Sequence, residues 1–332
     1  MRISISTVFL LFFLLLNGCG GGGGGSSSSS TTTTPTVFAS GNSMAYLRHL
    51  TFDGNYLYVV DSNTVDTSTS PISYAHLRQF SATTSGSTAT TFENTSTNLK
   101  NIFSVVKFNS DLLMTATVVV SGSSGVIKVS LSGSTYSFTD KVVLPTNSLY
   151  GLAVDSTNNR LFVADQSGPS ILIYDQYYVA CGSTNTNCTI SSPISGPWTR
   201  PTGLAYNGNY GGTGYIYVTD YSGGSAGLYK INASTLAVTS ISSSLFKNPN
   251  GIAINTSTGD VYVVNTGTGD ADSTILKITA AGVVSTFLDG SITSNMLCKP
   301  IGAAISESYL YVTNGSCTTN FTYASSVIKI NL

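Results

Sequence analysis

The sequence predicts an all-β chain folded as a six-bladed β-propeller of four-stranded antiparallel blades, on three observations. A pattern of two apolar strands recurs six times at a spacing of about 50 residues, the length of one blade. The last copy stops one strand short of a full blade, and a counterpart of the missing strand lies just ahead of the first copy. The composition suits short strands and many turns, with 33 glycines and 41% hydrophobic residues in a chain of 332.

Each copy opens with a small apolar strand entered through a glycine. After a turn it continues with an apolar-aromatic strand ending in Asp or Asn. Tyr150-Gly151-Leu152-Ala153-Val154-Asp155 is answered by Leu161-Phe162-Val163-Ala164-Asp165, and Pro201-Thr202-Gly203-Leu204-Ala205-Tyr206 by Ile216-Tyr217-Val218-Thr219-Asp220. Pro249-Asn250-Gly251-Ile252-Ala253-Ile254 goes with Val261-Tyr262-Val263-Val264-Asn265, and Pro300-Ile301-Gly302-Ala303-Ala304-Ile305 with Leu310-Tyr311-Val312-Thr313-Asn314. Two degenerate copies come earlier: His49 to Asp53 with Leu57 to Asp61, and Val105 to Asn109 with Leu112 to Ala116. Aligned on the glycine, the copies fall at 49, 105, 151, 203, 251 and 302, giving spacings of 56, 46, 52, 48 and 51. The long first spacing leaves room for a seventh, degenerate blade as the alternative.

Third strands follow at His76 to Phe80, Val126 to Val129, Ile171 to Tyr174, Leu228 to Ile231, Ile275 to Ile278 and Val327 to Ile330. Fourth strands are weaker, for example Leu236 to Ile241 and Val283 to Leu288. The sixth copy ends at Leu332, straight after its third strand. Thr36-Val37-Phe38-Ala39-Ser40 is expected to pair there, closing the ring and covering an edge that would otherwise template aggregation. On these repeats, and on Tyr311-Val312-Thr313-Asn314 above all, residues 37–332 resemble the NHL-type and YVTN-type β-propeller families. That resemblance implies the propeller but no chemistry, because the fold hosts many activities.

Residues 1–18 have the form of an export signal. Arg2 precedes an apolar run from Val8 to Leu16, too short for a bilayer core that takes about 20 helical residues. Leu16-Asn17-Gly18-Cys19 resembles the lipobox of bacterial lipoproteins. The resemblance implies acylation of the Cys19 thiol, which becomes the new N-terminus. Gly20 behind it implies sorting to the outer membrane, on its periplasmic or its outward side. Residues 19–36 carry Gly, Ser and Thr runs closed by Pro35, a flexible tether with a root-mean-square span of about 20 Å.

Charge is scarce: 14 basic and 15 acidic residues, 9% of the chain, with a net charge of −1. Ordinary globular proteins hold roughly 25%. No large basic surface can be assembled from so few cations, which excludes nucleic-acid binding. The apolar content excludes charge-driven disorder. A monomer is expected, and partner binding is expected to vary weakly with salt.

Beyond Cys19 there are four cysteines, Cys181, Cys188, Cys298 and Cys317, open to three pairings. If Ser306 faces Tyr309 across the sixth-repeat turn, opposed residues sum to 615, as Cys298 and Cys317 do. Without an intervening bulge those two come within disulfide reach. Cys181 and Cys188 then close a short loop in the insertion from Gln176 to Trp198, and an oxidising compartment favours both bridges.

Catalytic constellations are missing. His49 and His76 are the only histidines, without HExxH or a cluster to hold a transition metal, and both occupy structural positions. Gly223-Gly224-Ser225-Ala226-Gly227 spells G-x-S-x-G, yet it joins two strands and no His follows it. Asp270 and Asp272 share a Gly/Thr loop that lacks the rest of a calcium-loop pattern. The Asp or Asn ending each second strand (Asp61, Asp165, Asp220, Asn265, Asn314) is expected to bond turn amides. No catalytic residue, metal ligand or cofactor is assigned.

The first strand of a propeller blade lines the central channel and starts near one mouth. The residues before the repeat glycines are therefore expected at the rim: Arg48, Ser104, Tyr150, Thr202, Asn250 and Ile301. This mixed set suits a small polar ligand or a peptide loop, with Tyr177, Tyr178 and Trp198 of the insertion extending the surface. Pro249-Asn250-Gly251 is similar to a metal-binding Pro-Asn-Gly of six-bladed gluconolactonase-like hydrolases, a resemblance that implies a metal-dependent hydrolase or a lyase. Their other ligands are a Glu, a further Asn and an Asp. Arg48 and Ile301 stand at matching strand starts and cannot bind a hard cation, so a lipid-anchored binding module is the expected function.

Overall fold

The computed structural model describes residues 33–40, 44, 46–62, 75–82, 89–92, 99–118, 124–132, 135–144, 148–175, 190–208, 214–221, 227–269, 272–290, 296–306, 308–315 and 325–332. The expected signal, Cys19, most of the tether, Tyr177, Tyr178, Cys181, Cys188, Asp270 and Cys317 lie outside them, as do residues 223–226.

The described residues form 24 strands in six four-stranded antiparallel sheets. In chain order they begin with β1 Thr36–Ala39. Blade 1 is β2 Leu47–Phe52, β3 Tyr56–Asp61, β4 His76–Ser81 and β5 Thr90–Phe92. Blade 2 is β6 Leu99–Phe108, β7 Asp111–Val118, β8 Ser124–Ser132 and β9 Thr135–Leu144; blade 3 is β10 Leu149–Asp155, β11 Arg160–Asp165, β12 Ser170–Tyr174 and β13 Ile190–Ser195. Blade 4 comprises β14 Pro201–Asn207, β15 Tyr215–Asp220, β16 Gly227–Asn232 and β17 Val238–Ile241. Blade 5 follows with β18 Pro249–Ile254, β19 Val261–Asn265, β20 Thr274–Ile278 and β21 Val284–Asp289. Blade 6 has β22 Pro300–Ser306, β23 Tyr309–Asn314 and β24 Val327–Asn331, and β1 is its outermost strand. The first strands contact one another in the cycle β2, β6, β10, β14, β18, β22 and back to β2, so the ring closes with six blades and the seventh is not there.

Closure happens as the terminal strand pattern predicts. β1 pairs with β24, Val37 opposite Ile328. Phe38 meets Tyr311 of its own blade edge-to-face at 5.1 Å and Phe80 of blade 1 at 6.1 Å. One fully buried ring thus joins the last blade to the first.

The core lies between blades. Each of the six seams holds its own cluster of buried side chains. The second strands explain the arrangement: Leu161 and Val163 of β11 pack toward blade 2, while Phe162 and Ala164 pack toward blade 4. A strand buried on both faces carries apolar residues continuously, and this produces the Leu-Phe-Val-Ala and Val-Tyr-Val-Val runs. Tyr–Lys contacts link second and third strands, with Lys230 Nζ 3.8 Å from the Tyr215 ring centroid and Lys329 Nζ 3.7 Å from that of Tyr309. Such contacts let isolated lysines sit on an otherwise nearly uncharged sheet.

One irregularity recurs in every blade: the first-to-second strand pairing shifts register by one residue beside the repeat glycine position. Such a bulge twists the strand entrance. In blade 6, Ser306 does face Tyr309, but Pro300 faces Asn314, one residue off the 615 sum. The register counted from the turn is therefore interrupted before it reaches Cys298, and Cys317 lies outside the described residues. Cys298 is fully buried, its N–H donating to Asn314 Oδ1.

Candidate functional site at the channel mouth

The repeat glycines mark the narrow waist of the channel. A Cβ on Gly203 would stand 2.2 Å from the Asn250 carbonyl oxygen, and one on Gly302 would stand 2.5 Å from that of Arg48. Thr219 Oγ1 uses the same closeness, accepting from Gly203 N and donating to the Asn250 carbonyl at 2.6 Å. Thr313 repeats the arrangement between Gly302 and Arg48. At blades 1 and 2 the waist position carries His49 and Ser104 instead of glycine.

Ser104 is a correction to the rim set. Ile102 faces Ala116 and Val105 faces Met114, which makes Ser104 the equivalent of the glycines and Phe103 the rim residue. The degenerate repeat misleads by one position because serine replaces the glycine used for alignment. Ile102-Phe103-Ser104-Val105 nevertheless fits the pattern of an apolar residue, any residue, a small residue and an aliphatic one. Ser104, buried at the waist, lines the same cavity as Arg48, Phe103, Tyr150, Thr202, Asn250 and Ile301, which surround one mouth.

A second tier escaped the sequence reading. Tyr46, Arg200, Asn248 and Lys299, each three residues before a waist position, also line the mouth. The terminal Asp and Asn of the second strands place them. Asp61 Oδ1 accepts from Tyr46 N at 2.9 Å, Asp220 Oδ1 from Arg200 N at 2.6 Å and Asn265 Oδ1 from Lys247 N at 3.2 Å. The next residue after each Asx then donates its N–H back: Ser62 to the Tyr46 carbonyl, Gln166 to Ser148, Tyr221 to Arg200, Thr266 to Asn248 and Gly315 to Lys299. These Asx side chains mainly staple the segment entering their own blade, rather than the turn that follows. Asp165 does both, accepting from Ser148 N and Ser167 N. Asn248 and Lys299 are held at φ of 51° and 42°, a left-handed conformation that costs a non-glycine residue and is maintained by these bonds.

The resulting cavity has a volume of about 410 Å³, within the usual range for small-molecule sites. Its hydroxyl and amide groups are largely occupied: Gln166 Nε2 donates to Thr202 Oγ1, Asn250 Nδ2 to Thr266 Oγ1 and Asn248 Nδ2 to the Gly267 carbonyl. Arg48 differs. Its guanidinium lies between the rings of Tyr46, at 4.8 Å, and Phe103, at 4.9 Å, and its buried Nε has no hydrogen-bond partner. Burial pulls the Arg48 pKa below its usual value, opposed by the Tyr46 and Tyr150 phenols. Arg200 stacks on Tyr221 at 5.0 Å. Among the described residues, three cations, Arg48, Arg200 and Lys299, and no carboxylate line the mouth.

The donor set does not fit a hard cation. Asn250 is flanked around the ring by Thr202 and Ile301, with Arg48 beyond, whereas Ca²⁺ takes 6 to 8 oxygens. Asp272 is engaged by the amides of Thr268 and Gly269. Among the described residues no group of three or more His, Cys, Asp or Glu side chains converges. His49 lies at the waist between this cavity and the opposite one. Burial lowers its pKa to about 4, opposed by the nearby Val105 backbone, so the imidazole is neutral at pH 7. Trp198, expected on the recognition surface, is instead a core residue. It is 3% exposed, meets Tyr229 edge-to-face at 5.5 Å and donates Nε1–H to the Pro169 carbonyl.

Among solved structures the chain resembles a luciferin-regenerating enzyme, with a TM-score of 0.62 at 13% identity over 90% of this chain and 95% of the other. Regucalcin of Agrobacterium tumefaciens, a calcium-binding protein, gives a TM-score of 0.59 at 11% identity, covering 86% and 90%. The PQQ-bound aldose sugar dehydrogenase of Streptomyces coelicolor gives 0.58 at 12%, covering 90% and 98%. No family model matches the sequence, and no curated protein does. At these identities the likeness shows the six-bladed propeller and nothing of its chemistry.

Proposed function

We propose that the chain is an exported, lipid-anchored propeller that binds a ligand at the polar mouth of its channel. One observation carries the reading: all six blades contribute to a 410 Å³ cavity with hydrogen-bonding and cationic groups, but without a paired acid and base or a cation's oxygen cage. Acylated Cys19 and the tether after it would hold the domain just off the outer membrane, and an oxidising environment would bridge Cys298 to Cys317 and Cys181 to Cys188.

Two experiments test this. Replacing Cys19 with Ser should release the protein from membranes; continued membrane retention contradicts the anchor. For the site, thermal stability is followed with Ca²⁺, Zn²⁺ and EDTA, and then with a library of small polar solutes. The proposal expects a rise with a solute and none with metal. A large metal-dependent rise would instead favour a metal-dependent hydrolase like those suggested by Pro249-Asn250-Gly251.

A further inference from the structure

We propose that the mouth selects ligands carrying an oxyanion group, a carboxylate or a phosphate, and that Arg48 is the residue that recognises it. This rests on the reading of the mouth as a binding site and names its ligand class.

Arg48, Arg200 and Lys299 come from blades 1, 4 and 6. They are distant in the chain, yet the ring brings all three to one cavity. Four other cations are neutralised in ion pairs elsewhere: Arg78 by Asp61, Lys128 by Asp111, Arg160 by Asp155 and Lys277 by Asp260. Among the described residues, the lining of the mouth thus carries three cationic side chains and no carboxylate. Carboxylates of the same end of the blades stand behind the lining and are engaged. Arg78 and Tyr46 N hold Asp61, the amides of Thr199 and Arg200 hold Asp220, and those of Ser148 and Ser167 hold Asp165.

The aromatic lining strengthens the inference. The rings of Tyr46, Phe103 and Tyr221 are already stacked on guanidinium groups, and Phe103 is buttressed by Tyr150 at 4.5 Å. They fix the planes of two arginines rather than offering open faces to a ligand ring. A stacked, immobilised guanidinium loses little entropy on binding and presents its N–H edge to a planar oxyanion. Arg48 is also partly desolvated, so an anion replaces hydration that the fold has removed. On this proposal binding weakens as salt rises, against the weak dependence expected from composition.

The test is calorimetric titration of the full chain in detergent with glucuronate, with inorganic phosphate and with neutral glucose. Glucuronate or phosphate should bind and glucose should not, the two anions distinguishing a carboxylate site from a phosphate site. Arg48→Met should weaken that binding about tenfold or more and Lys299→Asn about threefold, with both effects shrinking as salt rises. Asn suits the left-handed backbone at 299, so this second variant keeps the test open if Arg48→Met folds poorly. Ile254→Thr, at the opposite end of the channel, should bind as wild type. Equal binding of glucose and the anions, unchanged affinity in both cation variants, or no binding of either anion overturns the inference. Neutral solutes binding at a mouth insensitive to Arg48 would leave the binding reading standing, whereas no solute binding at all removes both.

Discussion

The two ends of the channel are made from the same six strands and differ in what lines them. At the polar mouth, side chains bond to backbone: Asx residues staple the entering segments, and Arg48 and Arg200 lie against aromatic rings. At the other end Phe52, Val106, Val154, Tyr206, Ile254 and Ile305 surround a smaller cavity of about 220 Å³, lined mainly by apolar side chains. Hydrogen bonds fix direction, and apolar contact fixes only proximity. Chemistry that requires oriented groups therefore belongs at the stapled end, while the other end seals the core.

Breaking a staple should give the largest effect. Arg78 and Asp61 are 3% and 0% exposed and 2.6 Å apart. Arg78→Met leaves a buried carboxylate without its cation and should lower stability by about 3–5 kcal/mol in urea denaturation. A loss below about 1 kcal/mol would mean that the staples are ornamental.

The waist separating the two ends comes next. Gly203→Ala puts a methyl group against the Asn250 carbonyl and should cost about 3 kcal/mol, measured the same way. His49 probes the waist by pH. Its folded pKa of about 4 lies below its unfolded value of about 6.5, so the unfolded chain takes up the proton first as pH falls. Its contribution is complete above pH 6.5 and is lost as pH drops toward 4. Between pH 6.5 and 5 the loss should be about 2 kcal/mol, and His49→Gln should flatten that slope.

The smallest effect should come from the apolar end. Ile254→Thr, at a half-buried position, should cost about 1 kcal/mol and leave ligand binding at the other mouth untouched. Altered binding would show that the two ends are coupled.

The blades were legible in the sequence because a doubly buried second strand has to be continuously apolar, as Leu161 to Ala164 and Val261 to Val264 are. The closing strand was legible because a blade lacking one strand has an open edge. The bulge was not, since it alters pairing without altering composition. It interrupts the ladder from which the cysteine register was counted, and the serine in place of a waist glycine hid Phe103. Arg200 and Lys299 were missed because they precede the strands and no local pattern marks them. Only the ring geometry places them beside Arg48. Trp198 looked like surface from its place in a long insertion, where indole size pointed equally to a core role.

The most direct measurement is a crystal structure of the protein equilibrated with saturating glucuronate or phosphate. The account predicts the anion in the polar mouth, within hydrogen-bond distance of Arg48, and nothing bound at the apolar end. A mouth left empty while anions occupy other positions would contradict it.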